Sequence, residues 1–398
     1  MRKRQGQCVI QKAKAYYMNY TSAPTVALER CSDYSPERVE RALDRALYSC
    51  GGLDSVIRPG MRVLIKCNLV ARKGPECAAT THPEIVRALC ARVKELGAHP
   101  IIGDSPGGPL NAALLKSYYA ATGMADAAQR AGAELSLDDG QGVRQCPEGR
   151  ALKCADLTNM VLRADAVISC SKLKTHGMTL MTGCVKNLFG CVPGVTKVEY
   201  HARFSQLKRF SDMLVDLERC VRPVFNVLDA VECMEGEGPT GGNARHLGAL
   251  LVSRDAHAID LIGAELMGVR PGDVCTLARA MERGLLCPDD VRVAGERVED
   301  VRDGDFTLPQ SAKDVPFYST VPVIGRLVNA VALPRPRFSE DKCVRCGVCE
   351  RSCPAHAITL APFPRADMKL CIRCFCCQEL CPHHAVEVRK SLLRHVLR

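Results

Sequence analysis

Nine of the 24 cysteines fall between Cys343 and Cys381, and their spacing is a chemical statement. Cys343-Val-Arg-Cys346-Gly-Val-Cys349-Glu-Arg-Ser-Cys353-Pro354 reads C-x2-C-x2-C-x3-C-P, and it recurs 28 residues later as Cys371-Ile-Arg-Cys374-Phe-Cys-Cys377-Gln-Glu-Leu-Cys381-Pro382. Three thiolates at that spacing wrap one face of an iron–sulfur cube, with the backbone amides between them turned toward the sulfurs. The fourth cysteine, followed by proline, leaves on a new path. Four thiolates also suit zinc, but zinc ribbons use two separated pairs and not, twice over, a triplet with a distant single cysteine before proline.

The doubled string resembles the bacterial two-cluster ferredoxin module, in which the fourth cysteine of each run ligates the other cluster. The resemblance implies two [4Fe-4S] clusters, one on Cys343, Cys346, Cys349 and Cys381, the other on Cys371, Cys374, Cys377 and Cys353. Cys376 is a surplus thiol beside Cys377, and the spacing does not decide which of the two coordinates. Ile358, Phe363, Ile372, Phe375 and Val386 are the apolar residues expected to keep the clusters dry.

A second group of reactive side chains lies upstream. Lys172, Lys174 and His176 alternate along one short segment, and alternating residues of an extended chain share a face. Such a face can bind a carboxylate or phosphate, with His176 able to move a proton. Lys172, Lys174 and His176 are therefore the candidate catalytic residues. Lys66, Asn68, Asp104, Ser105, Lys186 and Asn187 are candidates for holding a ligand or a further cofactor of unknown identity. Asp104-Ser-Pro-Gly-Gly108 reads equally as a phosphate-cradling loop or a plain turn, and it matches neither the dinucleotide fingerprint nor the Walker sequence. Glu232, Glu235 and Glu237 form an acidic loop for which metal binding is the less favoured reading.

The elements that must position these groups follow a βα rhythm. Val63 to Cys67, Pro100 to Gly103, Ala164 to Cys170, Val224 to Asp229 and Leu250 to Ser253 read as buried strands. Ser35-Pro36 opens a helix that closes at Gly51-Gly52. Thr81-His-Pro-Glu84 reads as a capping box for a helix that places Ile85, Val86, Leu89, Val93 and Leu96 on one side. Ser205 to Cys220 and Ala256 to Met267 read as further helices. The fold class expected is α/β, a mostly parallel sheet with helices on both faces, plus a small C-terminal ferredoxin-like two-cluster domain. The expected domains are 1–330 for the α/β part, a Pro-rich linker over 331–337, and the cluster domain over 338–398. In an open sheet of this kind ligands collect beyond the carboxyl ends of the strands, where the polar candidates lie.

Composition narrows the function. The chain has 398 residues, 54 Lys+Arg against 44 Asp+Glu, and 5% aromatic residues. The basic residues are scattered and stacking platforms scarce, which argues against nucleic acid. From Arg337 to Arg398 eleven Lys/Arg face six Asp/Glu, an excess that the roughly four negative charges of two oxidised clusters with their thiolates nearly cancel. No apolar run of membrane-spanning length occurs and no signal-peptide core follows Met1 to Lys14. With the other fifteen cysteines read as reduced core residues, the location expected is cytoplasmic.

Ser171-Lys-Leu-Lys-Thr-His-Gly177 continuing to Thr182-Gly-Cys-Val-Lys-Asn-Leu-Phe-Gly190 resembles the signature of the domain of unknown function 362 family. Ile65 to Val70, Thr80 to Pro83, Gly103 to Gly108 and Met234 to Gly242 match it in the same order, so the likeness covers roughly Val63 to Met267. Cys67 stands where proline is expected and Cys184 where alanine is expected. The resemblance strengthens Lys66, Asn68, Asp104, Lys172, Lys174, His176, Lys186 and Asn187 as site residues, and the double-cluster module is a companion of this domain. The function expected is that of an iron–sulfur redox protein, an oxidoreductase exchanging electrons between a partner protein and a small anion held on the α/β domain. The alternative is a non-catalytic electron carrier that docks a partner enzyme.

Overall fold

The computed structural model describes residues 23–309 and 335–389. Its centre is a nine-stranded mixed sheet. The strands are β1 (Thr25–Arg30), β2 (Arg62–Lys66), β3 (His99–Gly103), β4 (Glu134–Leu135), β7 (Ala166–His176), β8 (Leu180–Thr182), β9 (Phe225–Glu235), β10 (Asn243–Ser253) and β11 (Arg292–Gly295). β5 (Gln141–Gln145) and β6 (Cys154–Thr158) form a separate hairpin. The spatial order is β11-β1-β10-β9-β7-β2-β3-β4, with β8 folded back on β7. β9, β7, β2, β3 and β4 run parallel to one another, β10 lies antiparallel between β1 and β9, and β8 returns antiparallel on β7.

Strand side chains alternate between two cores, as a sheet covered on both faces requires. Leu64, Val167, Leu228 and Leu251 pack toward the helices Leu207–Val221 and Ala256–Leu266. Val63, Ile65, Ile168, Val227 and Leu250 pack toward Pro36–Ser49 and Pro83–Glu95. Cys67 and Cys184 are fully buried in these cores, where burial pushes both thiols up. They serve as packing.

Two local expectations are corrected. The segment Ser171–His176 does not follow a strand but is its continuation, because β8 and β9 supply ladder partners that carry β7 on to His176. Thr81 does not cap the following helix. Its hydroxyl accepts from Asn68 N–H and donates to the Cys170 carbonyl, and His82 Nδ1 takes the cap by accepting from Glu84 N–H. Glu84 is occupied by Arg87 and Arg130.

The C-terminal unit is built from two matching halves. β12 (Arg335–Phe338) pairs antiparallel with β15 (Val386–Arg389), and β13 (Ile358–Thr359) pairs with β14 (Arg365–Ala366). Arg335 to Arg337, expected in the linker, thus belong to this unit; 331–334 lie outside the described residues. Positive φ recurs at an interval of 28 residues, at Arg345 and Arg373 (55° and 56°), Gly347 and Phe375 (76° and 59°), and His356 and His384 (47° and 49°). Phe375 holds a left-handed conformation that its counterpart Gly347 adopts freely. The one-turn helices Val348–Arg351 and Cys376–Glu379 repeat at the same interval.

Candidate functional site

Each half of the C-terminal unit closes a cavity with cysteines from both. One cavity is lined by Cys343, Cys346, Cys349 and Cys381, the other by Cys353, Cys371, Cys374 and Cys377. The fourth cysteine of each run therefore crosses to the other half. Ala357 N–H donates to Cys353 Sγ at 3.2 Å, and Ala385 N–H to Cys381 Sγ at 3.3 Å, the arrangement that stabilises thiolate sulfur. Four cysteine sulfurs around each cavity, with backbone amides donating to two of them, are a donor set that fits an iron–sulfur cluster. Cys376 is absent from both quartets.

Cys376 instead lines a small cleft of about 90 Å³ between the two units, together with Glu379 and Leu380. The α/β side contributes Asn68, Asp104, Ser105, Lys174, Thr182, Lys186, Asn187, Lys197 and His201. The register that sets Lys66 beside Gly103 and Ser169 brings the carboxyl ends of β2, β3 and β7 to this point. Leu380 packs against Gly107, where a Cβ would come within 2.8 Å of its Cδ2.

The floor is a locked ion pair. Lys66 Nζ lies 2.8 Å from Asp104 Oδ1 and 3.1 Å from Asn187 Oδ1, with both charged groups buried. Burial pulls Lys66 down, but Asp104 outweighs it and lifts its pKa above the ordinary lysine value. Asp104 also accepts from Leu69 N–H and Ser105 N–H. Asn187 Nδ2 donates to the Lys66 carbonyl and to Ser169 Oγ. At Gly190 any Cβ would collide with the Asp104 and Lys66 head groups.

The cationic wall is less satisfied. Lys174 Nζ donates to Asn68 Oδ1 at 2.8 Å and to the Ala79 carbonyl at 2.6 Å, both neutral. Burial, with Lys186 beside it, holds Lys174 well below the usual lysine range. Lys197 donates to the Ser105 carbonyl, and burial brings it down to about 8. Lys186, also lowered by burial, has no hydrogen bond or ion pair among the described residues. Thr182, 3% exposed, leaves its Oγ1 without a partner. His201, 7% exposed, stacks on Phe210 with ring centroids 4.7 Å apart and makes no hydrogen bond among the described residues.

His176 stands at the seam. Its Nδ1 accepts from Met178 N–H and Thr179 N–H, so the ring proton sits on Nε2, 3.0 Å from Glu379 Oε1. Burial, helped by Lys186, brings His176 down to about 4. Burial raises Glu379, but His176, Lys186 and His201 outweigh it and hold the carboxyl down to about 2. The pair is a neutral imidazole beside a carboxylate, at contact distance but without a hydrogen bond aligned between them.

Lys172 is not part of this group, contrary to the expectation from alternation. The pairing of β7 with β9 slips between Lys172 and Lys174, with the extra residues in β9, so the two lysines meet different partners. Lys172 Nζ turns to Asp229 Oδ2 at 2.5 Å, Tyr34 OH at 2.9 Å and the Glu232 carbonyl at 2.9 Å, all buried or part-buried. Tyr34 also donates to Asp229 and stacks on His82 at 3.5 Å. In the acidic loop, Glu232 faces His246 and Glu235 accepts from Thr307 N–H.

Sequence reasoning had not singled out Thr182, Lys197, His201 or Glu379. Two of them carried a signal: Thr182 opens the string that runs to Gly190, and Glu379 lies inside the second cysteine string.

Comparisons with known proteins now bear on this geometry. Residues 63–265 match the family model described as "Domain of unknown function (DUF362)", and residues 336–359 match that described as "4Fe-4S binding domain". The chain is 32% identical over 266 residues to the thylakoid-associated protein sll1697 of Synechocystis sp. (strain ATCC 27184 / PCC 6803 / Kazusa), covering 66% of this chain and 80% of that protein. Among solved structures, the lactate racemase apoprotein from Thermoanaerobacterium thermosaccharolyticum aligns at 12% identity and a TM-score of 0.39, over 62% of this chain and 57% of that one. Among the described residues no helix is long and apolar enough to cross a membrane.

Proposed function

The chain belongs to the DUF362 family and carries a C-terminal 4Fe-4S binding domain, and we propose that it is a two-cluster redox protein acting on a small anion held in the cleft between its units. The observation that carries this reading is that both units line one cleft, with Lys174, Lys186 and Lys197 on one side and Cys376 and Glu379 on the other. Two clusters, rather than one, are supported by the two four-cysteine cavities and the backbone repeat between the halves. When bound, each cluster supplies one-electron chemistry from a dry pocket.

The chain's own residues do the rest. Lys186 and Lys197 attract the anion, and Thr182 Oγ1 and His201 supply hydrogen bonds that no protein group takes up. Leu380 and Phe189 keep the cleft partly dry, which strengthens those charges. Glu379 fixes the His176 ring, and Asp104 with Lys66 fixes the loop beneath. An external redox partner protein would meet the C-terminal unit, where Cys346 is exposed.

The test is anaerobic purification followed by iron and acid-labile sulfide analysis, electrochemical titration, and calorimetry with acetate and inorganic phosphate. About eight iron and eight sulfide per chain, reversible reduction, and anion binding lost in Lys186→Ala are expected. Zinc in place of iron overturns the cluster reading. Reversible clusters without anion binding overturn the cleft reading and leave a carrier that only docks its partner.

A further inference from the structure

The cleft is more than a positive hole, because its two walls ask for different things. On the α/β side the groups able to donate are the Lys186 ammonium, which also feels the Glu379 charge, the unpartnered Thr182 hydroxyl and the His201 ring. Thr182 is the sharpest of these, since a buried hydroxyl with no partner costs free energy that a ligand oxygen would recover. On the opposite wall the unspent group is an acceptor. Glu379 Oε1 lies 3.0 Å from His176 Nε2, and its Oε2 has no hydrogen-bond partner among the described residues. The cleft's other carboxylate is already satisfied, since Asp104 serves Lys66 Nζ, Leu69 N–H and Ser105 N–H.

A simple carboxylate or phosphate would answer the donors and leave Glu379 facing its oxygens across a small, partly closed space. Two anionic groups there repel each other unless a proton lies between them. We propose that the natural ligand is a small acid anion bearing a hydroxyl close to its charged group, the acid end held by Lys186, Thr182 and His201 and the hydroxyl donating to Glu379 Oε2. This deepens the cleft reading and rests on it. It also gives the C-terminal unit a second task, since a residue of the cluster module would select the substrate.

The ligand's acid group can be a carboxylate or a phosphate ester; the shared chemistry is the neighbouring hydroxyl. Calorimetry on the anaerobically purified holoprotein at pH 7 therefore uses matched pairs: glycolate against acetate, and glycerol phosphate against methyl phosphate. In one pair or both, the hydroxylated member is expected to bind about tenfold tighter, the value of one charge-assisted hydrogen bond. The pair that shows the effect identifies the acid. Methoxyacetate, whose oxygen can only accept, is expected to bind no tighter than acetate. In Glu379→Gln, with clusters confirmed by iron content, the preference is expected to fall to within about twofold while the affinity for the plain anion holds or rises.

Equal affinities within both pairs, or methoxyacetate matching glycolate, overturn the proposal and leave the anion site standing. Failure of every anion to bind overturns the cleft reading together with it. The comparison of ligands on the wild-type protein decides the matter even where the variant loses its clusters.

Discussion

Glu379 of the cluster module lies 3.0 Å from Nε2 of His176, the last residue of β7. One contact thereby joins the carboxyl end of an interior strand to a one-turn helix that begins at Cys376 and contains Cys377. The strand that carries Lys174 into the cleft and the helix that carries a cysteine of the second cavity are held in register by this pair. Removing the carboxylate should loosen the seam without unfolding either unit. Glu379→Ala is expected to raise amide exchange in 376–380 and 176–182 at least several-fold, leaving exchange in β1 and β10 unchanged.

Cys376 and Cys377 are adjacent in sequence but serve different cavities. Cys376→Ser is expected to keep the full iron and sulfide content, and Cys377→Ser to lose about half of it. Loss of iron in the Cys376 variant would reverse the assignment. Electron paramagnetic resonance of the reduced proteins separates the outcomes.

The two lysines of the Ser171–His176 string should behave oppositely. Lys172 and Asp229 form a fully buried pair, and deleting one partner of such a pair typically costs about 3–5 kcal/mol, because the other charge stays buried. Lys172→Met is expected to lower the urea midpoint strongly while leaving affinity for acetate or phosphate within twofold in the folded fraction. Lys186→Met is expected to do the reverse, with near-normal stability and at least a tenfold loss of anion affinity.

That contrast also shows what the sequence could and could not convey. The gathering of each cysteine triplet at one cavity was legible in local spacing, and the crossing of Cys353 and Cys381 to the other cavity was an expectation from the ferredoxin resemblance. The α/β alternation was legible in local spacing too: Val63, Ile65 and Ile168 reach one core and Leu64 and Val167 the other, with the period of two written in the chain. Lys172 was misplaced because alternation says which face a side chain takes and not which partners wait there, and Asp229 and Tyr34 lie far from it in the chain. Thr182 ends β8, while Lys197 and His201 lie one turn apart on the helix Thr196–Arg203, and nothing local says that the two elements meet. Glu379 gains its role only by docking against His176.

Gly190 tests how tightly the floor of the cleft is built. A methyl group there would occupy the space of the Asp104 and Lys66 head groups, and a buried pair cannot be pushed apart cheaply. Gly190→Ala is expected to cost about 3 kcal/mol or more in denaturant unfolding, and Asp104→Asn a comparable amount. Near-wild-type stability of Gly190→Ala would mean that the loop carrying it can retreat.

Anion binding should weaken in alkali through Lys197. Its pKa is held down to about 8 by burial, and only the protonated amine attracts an anion. The affinity is therefore expected to be flat below pH 7 and to fall by about tenfold between pH 7 and pH 9. Lys197→Met should bind more weakly at pH 7 and lose most of that slope, whereas an unchanged slope would assign the titration to another lysine.

In acid the histidines set the limit. His82, His176 and His201 are each brought down to about 4, chiefly by burial. Their folded pKa values lie below the unfolded value near 6.5, so between pH 6.5 and pH 4 the unfolded chain binds more protons than the native one. Stability must then fall as pH drops through that window, by up to about 1.4 kcal/mol per pH unit for each histidine. His201 is the cleanest to remove, because it stacks on Phe210 and makes no hydrogen bond among the described residues. His201→Phe keeps the stacking and abolishes the titration. Urea unfolding at pH 7 and at pH 5 is expected to show a smaller loss of stability for this variant than for the wild type, by about 1 kcal/mol or more; an equal loss would mean that His201 takes its proton without leaving the core.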